Sequence, residues 1–254
     1  MKQEKVLQEH PYISTVSFVL KKNSNGSSVS NERERDEMCG RFTLTVNIDA
    51  VAKAFGVVPS VQTAPRYNVA PTQEVVTVVS DETKHLEMLR WGLIPSWAKE
   101  ASIGSKMINA RAETLAEKPS FKRLLQNKRC LIVADGFYEW RQEAGGKTPM
   151  YFTLPNHELF AFAGLWDTWK QPDGQLLRTC TIITTQPNEL AATVHNRMPA
   201  ILPTNAQEEW LDPQQHDMHI LQELLKPYNA NDMQVRPVSR KINSPQYDSA
   251  DLIA

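Results

Sequence analysis

Five short segments of the chain concentrate side chains able to do chemistry: Met38-Cys-Gly-Arg-Phe42, Arg66-Tyr-Asn-Val-Ala-Pro71, Ile108-Asn-Ala-Arg-Ala-Glu-Thr114, Ala134-Asp-Gly-Phe-Tyr-Glu-Trp140 and His195-Asn-Arg-Met-Pro199. Cys39 is the nucleophile among them. If it begins the working chain it carries an α-amine and a thiol on adjacent carbons. Such a 1,2-aminothiol condenses with an aldehyde: the amine gives a Schiff base, and sulfur then closes a five-membered thiazolidine. An α-amine titrates near pH 7.7–8.0, roughly, so part of it is nucleophilic at neutrality, unlike a lysine. Each residue also has a plainer reading. Cys39 alone reads as a buried thiol, Asn109 as a turn cap, Glu139 as an exposed strand carboxylate, His195 as a partner for a helix C-terminus, and Arg111-Ala-Glu113 as a surface ion pair.

The elements that must position these segments begin where composition breaks. Residues 23–37 are a polar run that supports no core, so residues 1–37 read as a flexible leader or an over-extended gene start, and 38–254 as a single domain. Asn47–Phe55 has apolar residues at 48, 51, 52 and 55, a capping Asn47 and a terminating Gly56, which predicts a helix. Glu74–Val79 and Leu86–Trp91 read as strands around a turn at Ser80–Lys84. Ser120–Asn127 reads as a basic helix. Arg129–Ala134, Met150–Leu154, Leu159–Trp166 and Leu176–Thr184 are strand-like runs rich in β-branched and aromatic residues. Asn188–Val194 is predicted as a helix, Ala200–Leu202 as a strand, Gln207–Leu211 and His216–Leu225 as helices, and Met233–Val238 as a last strand. The expected class is α+β: a curved, largely antiparallel, barrel-like β-sheet with peripheral helices.

With 254 residues, 41% apolar and 22% charged, the chain is neither collagenous nor wholly disordered. Its longest early apolar stretch, Tyr12–Leu20, is too short for a membrane span. Glu4 and Glu9 precede that stretch and Lys21-Lys22 follow it, the wrong order for a secretory signal, so a soluble cytoplasmic chain is expected, with no membrane partner. Cys39, Cys130 and Cys180 have no Cys-x-x-Cys spacing, which argues against a disulfide scaffold or a cysteine-built zinc site. His216-Asp-Met-His219 lacks a third ligand nearby and reads as a solvated helix face. No metal and no cofactor are expected.

Taken together and in this order, the five segments resemble the SOS-response-associated peptidase (SRAP) family, known also as abasic-site processing proteins. The resemblance includes Trp91-Gly-Leu-Ile-Pro95 and a final Pro237-Val-Ser-Arg240 strand, and runs from Met38 to about Arg240. It implies the SRAP fold and a sensor of abasic sites in single-stranded DNA, likened to a monomer that is nucleoid-associated when crosslinked. The ring-opened abasic deoxyribose is an aldehyde, so Cys39, once Met38 has been removed autocatalytically, would trap the lesion as a thiazolidine. A lyase outcome through the Schiff base stays open. By motif position Asn109 is similar to the family asparagine that orients cysteine and lesion. Glu139 is likened to a proton shuttle whose burial between Tyr138 and Trp140 favours the neutral carboxyl. His195 resembles the acid/base acting on the sugar ring oxygen. A leader left in place would make the Cys39 nitrogen an amide and forbid the reaction, so either translation starts at Met38 or the leader is cleaved. Two other readings remain: a thiol protease built from Cys39, His195 and Glu139, and a non-catalytic module binding single-stranded DNA.

Charge is uneven along the chain. The whole carries a net −1, yet Arg90–Arg141 holds ten basic residues against five acidic ones. That asymmetry suits a phosphate-tracking groove in a neutral protein. Arg41, Arg111 and Arg197, each within two residues of a candidate catalytic residue, are assigned to phosphates beside the lesion. Pro71, Trp91, Trp97 and Phe137 are candidates to stack on or wedge between bases, with core packing the equal reading for Trp91.

Overall fold

A computed structural model of the chain describes residues 40–254. The leader, Met38 and Cys39 lie outside the described residues, so the expectations placed on them are not met by any structural observation.

Thirteen strands and four helices order the described residues. The first strand, β1 (Arg41–Leu44), is followed by helix α1 (Ile48–Phe55), β2 (Arg66–Val69), β3 (Glu74–Ser80) and β4 (Lys84–Trp91). Next come β5 (Asn109–Arg111), α2 (Pro119–Asn127), β6 (Arg129–Ala134), β7 (Gly136–Glu143), β8 (Gly146–Thr153), β9 (Phe160–Lys170) and β10 (Leu176–Thr185). The chain closes with β11 (Met198–Pro199), β12 (Ile201–Leu202), α3 (Thr204–Leu211), α4 (Met218–Glu223) and β13 (Gln234–Pro237). Strand β3 pairs with β4 and β6, β6 with β9, β9 with β10, and β10 with β4, so five strands close on themselves. All of these pairings are antiparallel except β4–β10. A second sheet runs in the order β13-β8-β7-β1-β2. The fold is α+β and barrel-like, as the sequence leads one to expect.

Both faces of the barrel wall are covered, and strand parity sorts the two covers. Val76, Val78, Leu131, Val133, Ala161 and Ala163 pack with Val51 and Phe55 of α1, Leu124 and Leu125 of α2, Trp210 of α3 and Leu221 of α4. The alternate residues Val75, Val79, Cys130, Ile132, Phe160 and Phe162 pack instead with Phe42, Phe137 and Phe152 of the second sheet. This is why Arg129–Ala134 shows no polar alternation: all six residues are buried. Arg129 is tolerated there because its guanidinium donates to the Leu125, Gln126, Trp210 and Asp212 carbonyls, capping the C-terminal ends of two helices at once.

Helix α1 follows its sequence signals: the Asn47 side chain accepts from Ala50 N at 2.8 Å, and Gly56 ends the helix with φ +64°. Asn188–Val194 departs from the helical reading. Only a 3₁₀ turn forms, at Ala191–Thr193, because Asn188 Oδ1 caps Ala191 N while its Nδ2 reaches out to Tyr228 O at 2.7 Å. Helix α4 is shorter than His216–Leu225, and the final strand stops at Pro237, after which Arg240–Asn243 is a 3₁₀ turn.

Gly136 opens β7 in the second sheet, close against Tyr151. A Cβ there would lie 2.3 Å from Tyr151 Oη, and that hydroxyl is fixed 2.9 Å from Thr43 Oγ1 in a buried network. Tyr151 has no room to retreat, being 1% exposed. Gly136→Ala is therefore expected to destabilise the fold by about 2–3 kcal/mol through overpacking, seen as a lower denaturant midpoint at unchanged slope.

Candidate functional site

Four of the chemistry-bearing segments are brought together because each has a neighbour in one shared core. Phe42 follows Arg41, Phe137 precedes Tyr138-Glu139, Ile108 precedes Asn109, and Val194 precedes His195. All four apolar neighbours belong to, or pack against, the cluster around Trp91 and Phe162. Phe42 meets Trp91 with ring centroids 5.3 Å apart, and Trp91 Nε1 donates to Ile108 O at 2.9 Å. One indole thus ties the first strand to the residue before Asn109.

Strand β1 lies against β7 with Arg41 opposite Tyr138 and Phe42 opposite Phe137. The ladder thus opens at Arg41, opposite the residue before Glu139. Glu139 is 2% exposed. Its sequence neighbours Tyr138 and Trp140 belong to a separate aromatic cluster with Tyr151 and Ile242. Alternation therefore puts the carboxylate on the Phe137 face, not between the two aromatic rings that flank it in sequence.

Asn109 and His195 are joined through the end of β10. Ile182 pairs with Asn109 and Thr184 with Arg111 on one edge, while Thr184 pairs with Pro199 on the other. His195 is half-buried, and its backbone N–H donates to Ala191 O at 2.9 Å. The Arg197 N–H donates to His195 Nδ1 at 3.2 Å. The same Nδ1 also lies 3.3 Å from Arg197 O, so the Arg197 backbone holds this edge of the ring.

The arginines divide. Arg111 is exposed on β5. Arg197, only 8% exposed, is held by Glu113 in a two-pronged pair at 2.6 and 2.9 Å, with Nη2 also donating to Thr184 O at 2.6 Å. A phosphate reaches Arg197 only if Glu113 yields, so the structure presents it as a brace for the β5–β10 corner. Burial alone would raise the Glu113 carboxyl, but the hydrogen bonds and charge of Arg197, with help from Gln186, hold it below its ordinary value. Arg41 Nη1 donates to Asn68 Oδ1 at 3.0 Å and Ile242 O at 2.6 Å.

Two stacking assignments are corrected. Phe137 is 1% exposed and stacks on Phe152 at 4.8 Å, so its faces are taken by the core. Trp91 is fully buried. Pro71, by contrast, is half-buried on a tight turn in which Thr72 takes φ +73°, held by Thr72 N donating to Trp91 O at 2.8 Å. That conformation is costly for a β-branched residue and is kept by its surroundings. Trp97 is 64% exposed, yet its backbone mount is rigid. Ser96 N donates to Asp167 Oδ2 at 2.8 Å, and Ala98 O accepts from Trp169 Nε1 at 2.7 Å.

The basic segment also divides. Lys128 pairs with Asp167, Arg129 is buried and Arg141 pairs with Glu143. Lys99, Lys106, Arg111, Lys118, Lys122 and Arg123 remain on the surface. Sequence reasoning missed Asp135, which is buried and accepts from Thr43 Oγ1, Thr45 N and Thr45 Oγ1 at 2.5–2.6 Å, fixing β1 from its far end. Its signal was the Ala-Asp-Gly corner between two strands. Cys130 and Cys180 are fully buried, and burial pushes both thiols far up, so neither is a nucleophile at neutral pH. Among the described residues no cluster of His, Cys, Asp or Glu is arranged to hold a metal, and no helix is long and apolar enough to cross a membrane.

The SOS response associated peptidase (SRAP) family model matches residues 38–245. The chain belongs to the SRAP family. It is 51% identical to the abasic site processing protein YoqW of Bacillus subtilis over 85% of this chain and 99% of that protein. It is 34% identical to the chicken abasic site processing protein HMCES, over 74% of this chain and 66% of that one. Among solved structures, a protein from Bacteroides thetaiotaomicron aligns with a TM-score of 0.79 at 29% identity, covering 85% of this chain and 98% of its own. The SRAP match takes in every segment of the site just described, from β1 to the Arg197 brace.

Asp167 offers a test of how the Trp97 loop is mounted. Burial alone would push its carboxyl up, but the Lys128 ammonium and the Ser96 and Thr168 N–H groups outweigh it and hold it below the ordinary 3.8. A carboxyl lowered on folding contributes stability that is complete above its unfolded value and is lost as pH falls through the folded one. Asp167→Asn should therefore lower the melting temperature at pH 7 and flatten its fall below about pH 4, as read by thermal melts across pH 2–7.

Proposed function

We propose that this SRAP protein recognises abasic sites in single-stranded DNA and captures them covalently through Cys39 as the first residue of the working chain. The observation that supports this most directly is the β1–β7 ladder. It sets Arg41, two residues after Cys39, opposite Tyr138, the neighbour of the buried Glu139, while Trp91 ties the same strand to the residue before Asn109. The abasic-site names of the relatives point the same way.

In this reading the Cys39 α-amine adds to the C1′ aldehyde of the opened sugar, giving a carbinolamine. Loss of water leaves the imine, and addition of the thiol across C=N closes the thiazolidine. The balance is aldehyde plus aminothiol to ring plus one water. Glu139 carries the proton that leaves the amine and returns to the departing hydroxyl. His195 donates to the ring oxygen and favours the open aldehyde. Asn109 accepts from the amine and donates to the sugar. Removal of Met38 is hydrolysis of the peptide bond before Cys39, using the same acid and base. Arg111 and the surface lysines contact phosphates, and Trp97 and Pro71 supply stacking surface that tolerates any base sequence.

Protein whose first residue is Cys39 should form a denaturation-stable adduct with an abasic single-stranded oligonucleotide, and Cys39→Ala should not. Equal adduct from the alanine variant would sink the reading, and peptide turnover by the full-length chain would replace it with a thiol protease. His195→Gln should slow adduct formation by roughly a hundredfold or more, the usual weight of a general acid, with DNA affinity unchanged. A variant that reacts at the parental rate in single-turnover assays removes His195 from the chemistry.

A further inference from the structure

The second sheet ends on β2, whose outer edge would present unpaired backbone groups. The segment from Val238 to Ile253 covers that edge. Asp248 Oδ1 accepts from Tyr67 N at 2.5 Å and Asn68 N at 3.0 Å, and its Oδ2 takes Arg66 Nε at 2.7 Å. The Asn68 side chain, fully buried, reaches the other way. Its Nδ2 lies within 2.8–3.3 Å of the Tyr247, Ser244 and Ile242 carbonyls, and its Oδ1 accepts from Arg41 Nη1. Arg41 Nη1 also donates to Ile242 O. The segment is braced internally by Tyr247 Oη donating to Asp251 at 2.7 Å and Lys241 Nζ donating to the same carboxylate at 3.0 Å. Ile242 and Leu252 are buried against Tyr138 and Tyr151. Tyr247, Asp248 and Asp251 lie beyond residue 245, where the family match stops.

Burying Ile242 and Leu252 would dock the segment without any polar device. The buried polar contacts add direction, since they reach Arg41, two residues after Cys39. The β1–β2 pairing is irregular between Phe42 and Leu44, so the start of β1 has a regular ladder only on its β7 side. We infer that the C-terminal segment is a clasp, with Asn68 and Asp248 as positioning residues that hold Arg41 and the start of β1, the strand that follows the proposed nucleophile. This deepens the function proposed above and rests on it. Asparagine suits the task because it donates to carbonyls and accepts from Arg41 through one short side chain. Aspartate keeps the acceptor and loses the donors.

Asn68→Asp and Asp248→Asn, made in protein beginning at Cys39, test the clasp with four readouts. Hydrogen exchange at the Arg41 and Phe42 amides reads the strand without any chemistry, and it should quicken tenfold or more in both variants. The single-turnover adduct rate at saturating abasic oligonucleotide should fall tenfold or more. Affinity for an oligonucleotide carrying a non-reactive tetrahydrofuran lesion should hold, as should the rate of thiazolidine formation with free glyoxylate, which needs no positioning. Should Asn68→Asp fail to fold, Asp248→Asn, whose carboxylate is part-exposed, carries the test alone. Unchanged exchange, or an adduct rate that falls only with the folded fraction, overturns the clasp. If the parent protein forms no adduct, the function reading fails instead, and exchange still judges the clasp.

Discussion

Everything at this site depends on holding one four-residue strand still. Strand β1 has too few residues to be stable as half of a hairpin, and it is fixed from four directions. Strand β7 supplies its ladder, Trp91 packs against Phe42, and Asp135 takes the hydroxyls of Thr43 and Thr45. On the fourth side the segment around Ile242 accepts from Arg41. None of these contacts is large alone, but a strand end held on every side loses little further entropy when it meets a ligand. Reaction at a chain terminus would otherwise carry the cost of ordering a frayed end.

The barrel beneath provides rigidity rather than chemistry. Its wall is covered on both sides over most of its length, and Asn109, Arg197 and His195 come from the ends and connections of strands, while Glu139 lies buried within β7. Asn109 and Arg197 flank the same end of β10, so the short β5 strand and the His195 loop share one reference point, Thr184. The Arg197–Glu113 pair braces that point, and a half-exposed carboxylate next to a buried guanidinium is cheaper to keep than a buried charge without a partner. On the proposed reading, the surface cations Lys99, Lys106, Arg111, Lys118, Lys122 and Arg123 are those left for phosphates. The positive surplus of the Arg90–Arg141 stretch is an incomplete guide to them, since Lys128, Arg129 and Arg141 have internal partners.

What was legible in the sequence follows from how each feature is encoded. Helix α1 carries its cap, its 3.6-residue period and its terminating glycine within ten residues, and β6 is five apolar residues in a row after Arg129, so both read correctly. Strands β1, β2 and β5, of three or four residues, are too short to show a period, and only their motifs drew notice. Asn188–Val194 has helical composition, but the Asn188 side chain caps a single turn and reaches a distant carbonyl. The candidate residues were legible as types in order; their surroundings were not. Phe137 and Glu139 share a face of β7, and nothing local says that this face is the core side. The bonds that occupy Arg197 and Arg41 come from residues 84 and 201 positions away, a separation at which pattern carries no information.

A terminal cysteine, as proposed, would also lighten what the fold must supply. A lysine doing amine chemistry at neutral pH must have its pKa depressed by burial or by neighbouring cations, at a cost in stability. An α-amine already titrates close to neutrality, so the proposed chemistry asks for no such depressed lysine. The surrounding groups are instead ordinary ones held in place: a buried glutamate, an amide and a histidine whose ring edge meets the Arg197 backbone. The two remaining cysteines sit where burial keeps them protonated, so one sulfur alone would compete for an aldehyde. On this reading the specificity of the protein lies in geometry, in bringing a reagent that any peptide could carry to one sugar carbon, and the fold is devoted to that placement.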